Sequence, residues 1–396
     1  MKNISNISLS GKKVLIRVDF NVPLDEYFNI TDDSRIRAAL PTIKKVIQDG
    51  GKTIIMSHLG RPRNGFEERF SLKHIVKHLS DLLETSVGFS GDCIGENTST
   101  DISNMKNGDV LVLENLRFYP EEELGDPAFA KQLAKLADVY VNDAFGTAHR
   151  AHASTAIIAD YFPNEKYFGL LLRKEISSLK TALEKPKRPF TAIIGGAKIT
   201  GKIDVITSLF DIVDSLIVGG GMAYTFVKAI GGNIGNSLVE EDKVELAKSL
   251  IATAKEKGVQ LLLPTDSINA NAFNNDATIQ NSEITSVPAG FMGLDIGPRS
   301  ITQFSKAILN SKTIIWNGPM GVFEMENFSN GTKKIGDAVC KATENGAFSL
   351  VGGGDSVAAV TQFGLAKKVS YISTGGGAML AYLEGKTLPG VDAILS

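Results

Sequence analysis

Val139-Tyr140-Val141, followed at once by Asn142-Asp143-Ala144 and a little further on by His149-Arg150, decides how the whole chain is read. An apolar, β-branched run with no polar alternation marks a short strand covered on both faces, as in parallel sheets. In such sheets ligands gather beyond the carboxyl ends of the strands, so the polar and cationic residues that follow each run carry the chemistry.

The same construction recurs upstream. Val14–Val18 leads to Asp19-Phe20-Asn21, Thr53–Met56 to Ser57-His58-Leu59-Gly60-Arg61, and Val110–Leu113 to Glu114-Asn115-Leu116-Arg117. Amphipathic helices lie between these runs. Leu72, Ile75, Val76, Leu79, Leu82 and Leu83 follow helical spacing behind Ser71 as an N-cap, and Asp126-Pro127 opens a second helix with Phe129, Leu133 and Leu136 toward the sheet. Downstream the rhythm continues with Ala192–Ile194, Leu216–Val218, Leu261–Leu263, Thr313–Trp316, Phe348–Val351 and Val369–Ile372. Between the halves, Gly169 to Lys185 reads as an interdomain helix ending at Pro186. The alternation predicts an α/β protein of two layered domains with mainly parallel sheets, divided near residue 170.

Length and composition agree. At about 150 residues per domain, 396 residues suggest two or three compact units, and 43% hydrophobic with 22% charged residues is ordinary globular usage. Lys+Arg 42 against Asp+Glu 44 leaves a net charge of −2, which excludes a bulk positive field for nucleic acid or an anionic membrane. Cys93 and Cys340 are too few for a disulfide scaffold, and no Cys-x-x-Cys pair suggests structural zinc. Neither a signal-peptide pattern nor an apolar run of about 20 residues is found. A cytoplasmic protein is expected.

The strand ends of the first half are cationic, and all five histidines lie there. One loop arginine is most simply a solvated side chain, but topology brings Arg61, Arg117 and Arg150 to one sheet edge, where like charges repel unless an anion joins them. Arg35 opens a helix behind Asp32-Asp33-Ser34, where the helix dipole disfavours a cation. A bound phosphate would explain it, and so would pairing with Asp32 or Asp33.

In the second half the strand ends are glycine: Gly195-Gly196, Gly219-Gly220-Gly221, Gly352-Gly353-Gly354 and Gly375-Gly376-Gly377. Tight turns and helix–strand packing are the plain explanation; close backbone approach to an anion is the other. Asp355 is placed to hold Mg²⁺, with Ser356 capping the next helix and meeting a phosphate. Lys198 and Lys202 would share a helix face, unfavourably unless an anion lies between them. Gly196 to Lys202 fits G-x-x-x-x-G-K, yet Ile203 stands where a Walker A loop needs Ser or Thr. No G-x-G-x-x-G or G-x-S-x-G pattern appears, which disfavours a dinucleotide oxidoreductase and an elbow-type hydrolase.

Arg17-Val18-Asp19-Phe20-Asn21-Val22-Pro23, Ser57 to Pro62, Glu114 to Phe118, Asn142 to His152, Gly195 to Lys198, Trp316 to Pro319, Gly352 to Ser356 and Ser373 to Ala378 together resemble the phosphoglycerate kinase family, in order and spacing, over nearly the full length. The resemblance implies two Rossmann-like three-layer domains facing a central cleft. Residues 1–169 would bind 3-phosphoglycerate, with 385–396 returning to that domain, and 170–384 would bind nucleotide. It implies reversible in-line transfer of the acyl phosphate of 1,3-bisphosphoglycerate to MgADP after domain closure, by a cytoplasmic monomer. The acid would be held by Asp19, Asn21, Arg35, His58, Leu59, Gly60, Arg61, Arg117 and Arg150. The nucleotide would meet Lys198, Lys202, Gly219, Gly220, Gly293, Asn317, Pro319, Glu324 and Gly353, Gly354, Asp355 and Ser356, with Asp355 on Mg²⁺. The migrating phosphoryl group would be stabilised by Arg35, Lys198 and the backbone at Gly353, Gly354, Gly376 and Gly377. Gly201, where the family usually has an acidic residue, and Met379, where it has a small polar one, depart from the pattern. Two alternatives are a P-loop ATPase, weakened by Ile203, and a non-catalytic two-domain protein that binds a phosphorylated metabolite.

Overall fold

The structure, a computed structural model, describes residues 2–63 and 65–396. The chain forms two compact units, Met1–Ser177 with Thr387–Ser396, and Ser178–Lys386; the division falls inside the helix Leu170–Leu183.

The first unit is built on six parallel strands: β1 (Lys13–Arg17), β2 (Lys52–Met56), β3 (Val87–Phe89), β4 (Val110–Val112), β5 (Val139–Asn142) and β6 (Lys166–Phe168). Their order across the sheet is β3-β4-β2-β1-β5-β6. Val14, Ile16, Ile55, Val112, Val139 and Val141 belong to one buried cluster with Ile36, Ile43, Ile75 and Leu79 of the covering helices, so burial on both sides selects the unbroken apolar runs. The helix near Ser71 starts later than its spacing predicts, at Lys73–Leu83. Ser71 is instead committed to Glu114, donating its hydroxyl at 2.7 Å. Asp126 caps as expected, accepting from Phe129 N at 2.7 Å. The C-terminal helix Pro389–Leu395 packs within this unit, with Gly390 N donating to Ala148 O at 2.9 Å.

The second unit repeats the plan with β7 (Phe190–Ile194), β8 (Ser215–Val218), β9 (Gln260–Leu262), β10 (Asp266–Ala270), β11 (Ile279–Glu283), β12 (Met292–Ile296), β13 (Thr313–Asn317), β14 (Phe348–Val351) and β15 (Tyr371–Ile372). Six form a parallel sheet, β15-β14-β13-β7-β8-β9, and three a small antiparallel one, β11-β10-β12. β7 and β13 are wholly buried, and Trp316 closes the core against Phe304, Ile335 and Val339. β3, β6 and the antiparallel sheet have no counterpart among the predicted strands. Among the described residues no helix is long and apolar enough to cross a membrane.

Candidate active site

In the first unit β4, β2, β1 and β5 are neighbours, so parallel pairing delivers the loops that follow them to one edge. Arg35, second residue of the helix Ser34–Gln48, is paired neither with Asp32 nor with Asp33. Its Nη1 meets Asp19 Oδ2 at 2.7 Å, while Asp33 takes Arg37 and His78, each at 2.9 Å. Asn21 Oδ1 accepts from Gly60 N at 2.8 Å, and Arg117 Nη1 donates to Gly60 O at 2.7 Å. Glu123 lies 3.2 Å from Arg117 and 3.9 Å from Arg150, so a carboxylate already stands between two of the predicted anion-binding groups. Leu59 is buried with its N–H on Asn115, and Arg61 is exposed on the same loop.

Beneath this edge lies a buried layer of which sequence reasoning assigned only His58. Arg17 donates through Nε to Ser154 Oγ at 2.8 Å and through Nη2 to His58 Nδ1 at 3.2 Å. Burial and the charges of Arg17, Arg117 and Arg35 hold His58 well below the usual histidine range, so it is neutral and its 4.0 Å approach to Asp19 is not an ion pair. His152 is pushed down to about 4 by burial and the same kind of charge. Glu122 accepts from the N–H and hydroxyl of Ser154 at 2.9 and 2.6 Å. The available signal was Arg17 itself, a charge inside an apolar strand, which requires a buried partner.

In the second unit the turns after β7, β8, β13, β14 and β15 share one edge. Most of their glycines are required by turn packing on turn. A Cβ at Gly195 would lie 2.1 Å from Pro319 O, one at Gly220 2.6 Å from Gly196 N, and one at Gly318 2.2 Å from Gly195 O. A Cβ on Gly219 would meet Met320, and on Gly353, at φ +92°, Asn317. Gly354 has no neighbour within 4 Å of such an atom, and Gly376 has only Gly353 Cα at 4.0 Å. Those two backbones are open, at the starts of the helices Gly354–Gln362 and Gly376–Leu383; Gly377 follows in the second.

A cavity of about 450 Å³ lies at this edge, lined by Gly220, Gly293, Pro319, Glu324 and Asp355 of the predicted set and by Tyr224, Leu238, Met292 and Leu294. Gly293 is fixed from behind, because a Cβ there would lie 1.6 Å from the Tyr224 hydroxyl. Lys198 and Lys202 do not share a helix face. Lys198 is exposed, whereas Lys202 ends the 3₁₀ turn Thr200–Lys202 and donates to Asn317 Oδ1. Burial lowers the Lys202 pKa, and Asp355 opposes this. Ser356 does not cap its helix: it lies in the first turn and accepts from Gly318 N at 2.5 Å, coupling the β13 and β14 turns. Among the described residues no three His, Cys, Asp or Glu side chains are grouped to hold a metal. Asp355, one of two exposed carboxylates at the cavity with Glu324, stands beside the open Gly354 backbone and suits Mg²⁺, which binds through one or two carboxylates and completes its shell with substrate phosphates and water.

Comparison with known proteins gives the family. The family model for phosphoglycerate kinase matches residues 4–386. Proteins named phosphoglycerate kinase from Porphyromonas gingivalis and Chlorobaculum tepidum are 56% and 54% identical, each over 99% of this chain and 99% of the relative. Two solved phosphoglycerate kinases share the fold. That of Coxiella burnetii has a TM-score of 0.90 at 42% identity, covering 99% of this chain and 98% of that one. That of Pyrococcus horikoshii has a TM-score of 0.83 at 31% identity, covering 100% and 98%. The chain belongs to the phosphoglycerate kinase family.

Proposed function

We propose that the cationic edge of the first unit holds the phosphorylated acid and the glycine-walled edge of the second holds the magnesium nucleotide, with residues 1–169 and 385–396 serving the acid and 170–384 the nucleotide. As a member of its family the chain is a kinase acting on a carboxyl group, with ADP or ATP as co-substrate, and the non-catalytic alternative has nothing in its favour. The reaction takes the acyl phosphate of 1,3-bisphosphoglycerate to ADP, giving 3-phosphoglycerate and ATP, reversibly. The observation that carries the assignment of edges is their opposite chemistry: Arg17, Arg117 and Arg35 around neutral His58 with Arg150 across Glu123 from Arg117 on one, and the cavity with Gly293, Glu324 and Asp355 on the other.

The acid is positioned by Asp19, Asn21, His58, Arg61, Arg117 and Arg150, with the Leu59-Gly60 backbone beside them. Glu123 balances Arg117 and Arg150 until an anionic substrate replaces it, while Asp19 keeps Arg35 in place. In the second unit Glu324 takes the ribose, Lys202 meets the nucleotide phosphates, and Gly219, Gly220, Gly293, Asn317, Pro319 and Ser356 shape the nucleotide site. Asp355 would hold Mg²⁺, which when bound neutralises phosphate charge. Phosphoryl transfer needs positioning and charge stabilisation rather than a covalent enzyme intermediate. Arg35, Lys198 and the N–H groups of Gly353, Gly354, Gly376 and Gly377 supply these once closure brings both substrates together and sheds water. Cytoplasmic residence as a monomer belongs to the same proposal, on the family resemblance.

The test is a coupled assay for ATP formation from 1,3-bisphosphoglycerate and ADP. ATP formation that needs both substrates is the expected result. ATP hydrolysis indifferent to the acid, or binding of the acid with no turnover, overturns the reading.

A further inference from the structure

The segment Ala197–Lys202 carries both lysines of the proposed nucleotide site, yet its local sequence gives it little to hold it still. Lys198, Thr200 and Gly201 are exposed, and a Cβ at Gly201 would meet nothing within 4 Å. Neither the 3₁₀ turn Thr200–Lys202 nor the helix Ile203–Leu209 that follows has a side-chain N-cap. Glycine in the middle of such a turn leaves the backbone its full freedom.

One distant side chain compensates. Glu240 Oε2 accepts from Ile199 N at 2.5 Å and from Thr200 N at 3.3 Å, and its Oε1 accepts from the Thr200 hydroxyl at 2.5 Å. A carboxylate bonded to backbone N–H groups at the start of a helical turn makes strong, charge-assisted contacts aligned with the local dipole. Glu240 is itself anchored, its N–H donating to Oγ1 of buried Thr225 at 3.2 Å in the helix Ala223–Ala229. These contacts use its oxygens on the loop backbone and the Thr200 hydroxyl rather than on either ammonium group, so Glu240 holds the loop without pairing with Lys198 or Lys202.

We infer that Glu240 is a positioning residue for phosphoryl transfer: it clamps the Ile199-Thr200 backbone so that Lys198 and Lys202 are presented to the nucleotide phosphates despite the unconstrained glycine between them. The inference rests on the proposed role of the two lysines. Misplacing a charge-stabilising group by about 1 Å can cost as much as about 10²-fold in rate.

Steady-state kinetics of ATP formation provide the test. Glu240→Ala lowers kcat by about 10- to 100-fold, on that scale, while the KM for the acid substrate stays within about twofold. Glu240→Gln, whose amide can accept from the two N–H groups and donate to the Thr200 hydroxyl, restores most of the turnover; a merely structural loss would leave the KM pattern unselective and need no such rescue. On a Lys202→Ala background, Glu240→Ala costs clearly less than on the parent chain. Thr200→Val, which removes only the hydroxyl contact, gives a smaller loss in the same direction and serves if Glu240→Ala does not fold. Parental kcat in Glu240→Ala, or its full loss repeated beside Lys202→Ala, overturns the clamp. If Lys198→Ala and Lys202→Ala themselves turn over normally, the reading of the lysines fails instead.

Discussion

Arg35, proposed above to meet the migrating phosphoryl group, is held by a partner within its own unit. Its guanidinium is paired with Asp19 at 2.7 Å, but the side chain is 37% exposed, so the pair is worth at most about 1 kcal/mol to stability. Its value lies in aim. A cation at the start of the helix Ser34–Gln48 opposes the dipole there, an arrangement that becomes favourable once an anionic group arrives. Arg35→Ala is expected to lower kcat by about 10³-fold or more, the scale of an arginine finger, with little change in the KM for ADP and an almost unchanged melting temperature. Near-parental turnover would remove Arg35 from the reacting group. The sequence made this arginine visible because it sat in the wrong half of a helix. It could not reveal Asp19 as the partner, because that contact joins a strand-end loop to a helix and depends on packing rather than spacing.

At the level of elements, the strand-end turns divide into those shaped by one another and those open to a ligand. Gly195 belongs to the first kind, since a Cβ would meet Pro319 O at 2.1 Å; Gly354, with nothing within 4 Å, belongs to the second. Gly195→Ala is expected to destabilise the protein by about 1–3 kcal/mol through overpacking, read as a lowered urea midpoint. Gly354→Ala is expected to keep or slightly raise that midpoint, because alanine is the better helix former at the first residue of Gly354–Gln362, yet to weaken turnover by placing a methyl where the nucleotide phosphate is proposed to approach. Equal stability losses in the two variants would contradict this division. Glycine runs after apolar runs were legible as special turns, and the central strands were legible as buried β-branched segments. What each glycine touches was not, because Gly195, Gly220 and Pro319 come from three strands that only the sheet order β13-β7-β8 brings side by side. The antiparallel sheet escaped for a related reason: β11, Ile-Gln-Asn-Ser-Glu, is almost wholly exposed and has no apolar run to betray it.

At the level of the whole chain, ionisable groups whose folded state alters their proton affinity are distributed unequally between the units. All five histidines lie in the first, where depressed histidines oppose the raised carboxyls of Glu122 and of Asp143, the latter pushed up to about 7. In the second unit one such group governs the range between pH 4 and 7: burial pushes Asp295 up to about 7, even though its oxygens accept from Gly331 N and Ile296 N at 2.7 and 2.9 Å. An unfolded aspartate ionises near 3.8, so between there and about 7 the folded unit holds a proton that the unfolded chain has released. Stability of this unit therefore falls as pH rises through that window and levels off above it. Trp316, the sole tryptophan, is fully buried in the same unit and makes its fluorescence a local probe. The urea midpoint followed by Trp316 should decline from pH 4.5 to 7.5. Asp295→Asn should flatten that decline while lowering stability by about 1–3 kcal/mol at low pH, because an amide nitrogen cannot accept the N–H it would face. A slope that survives the substitution would mean that another group carries the proton.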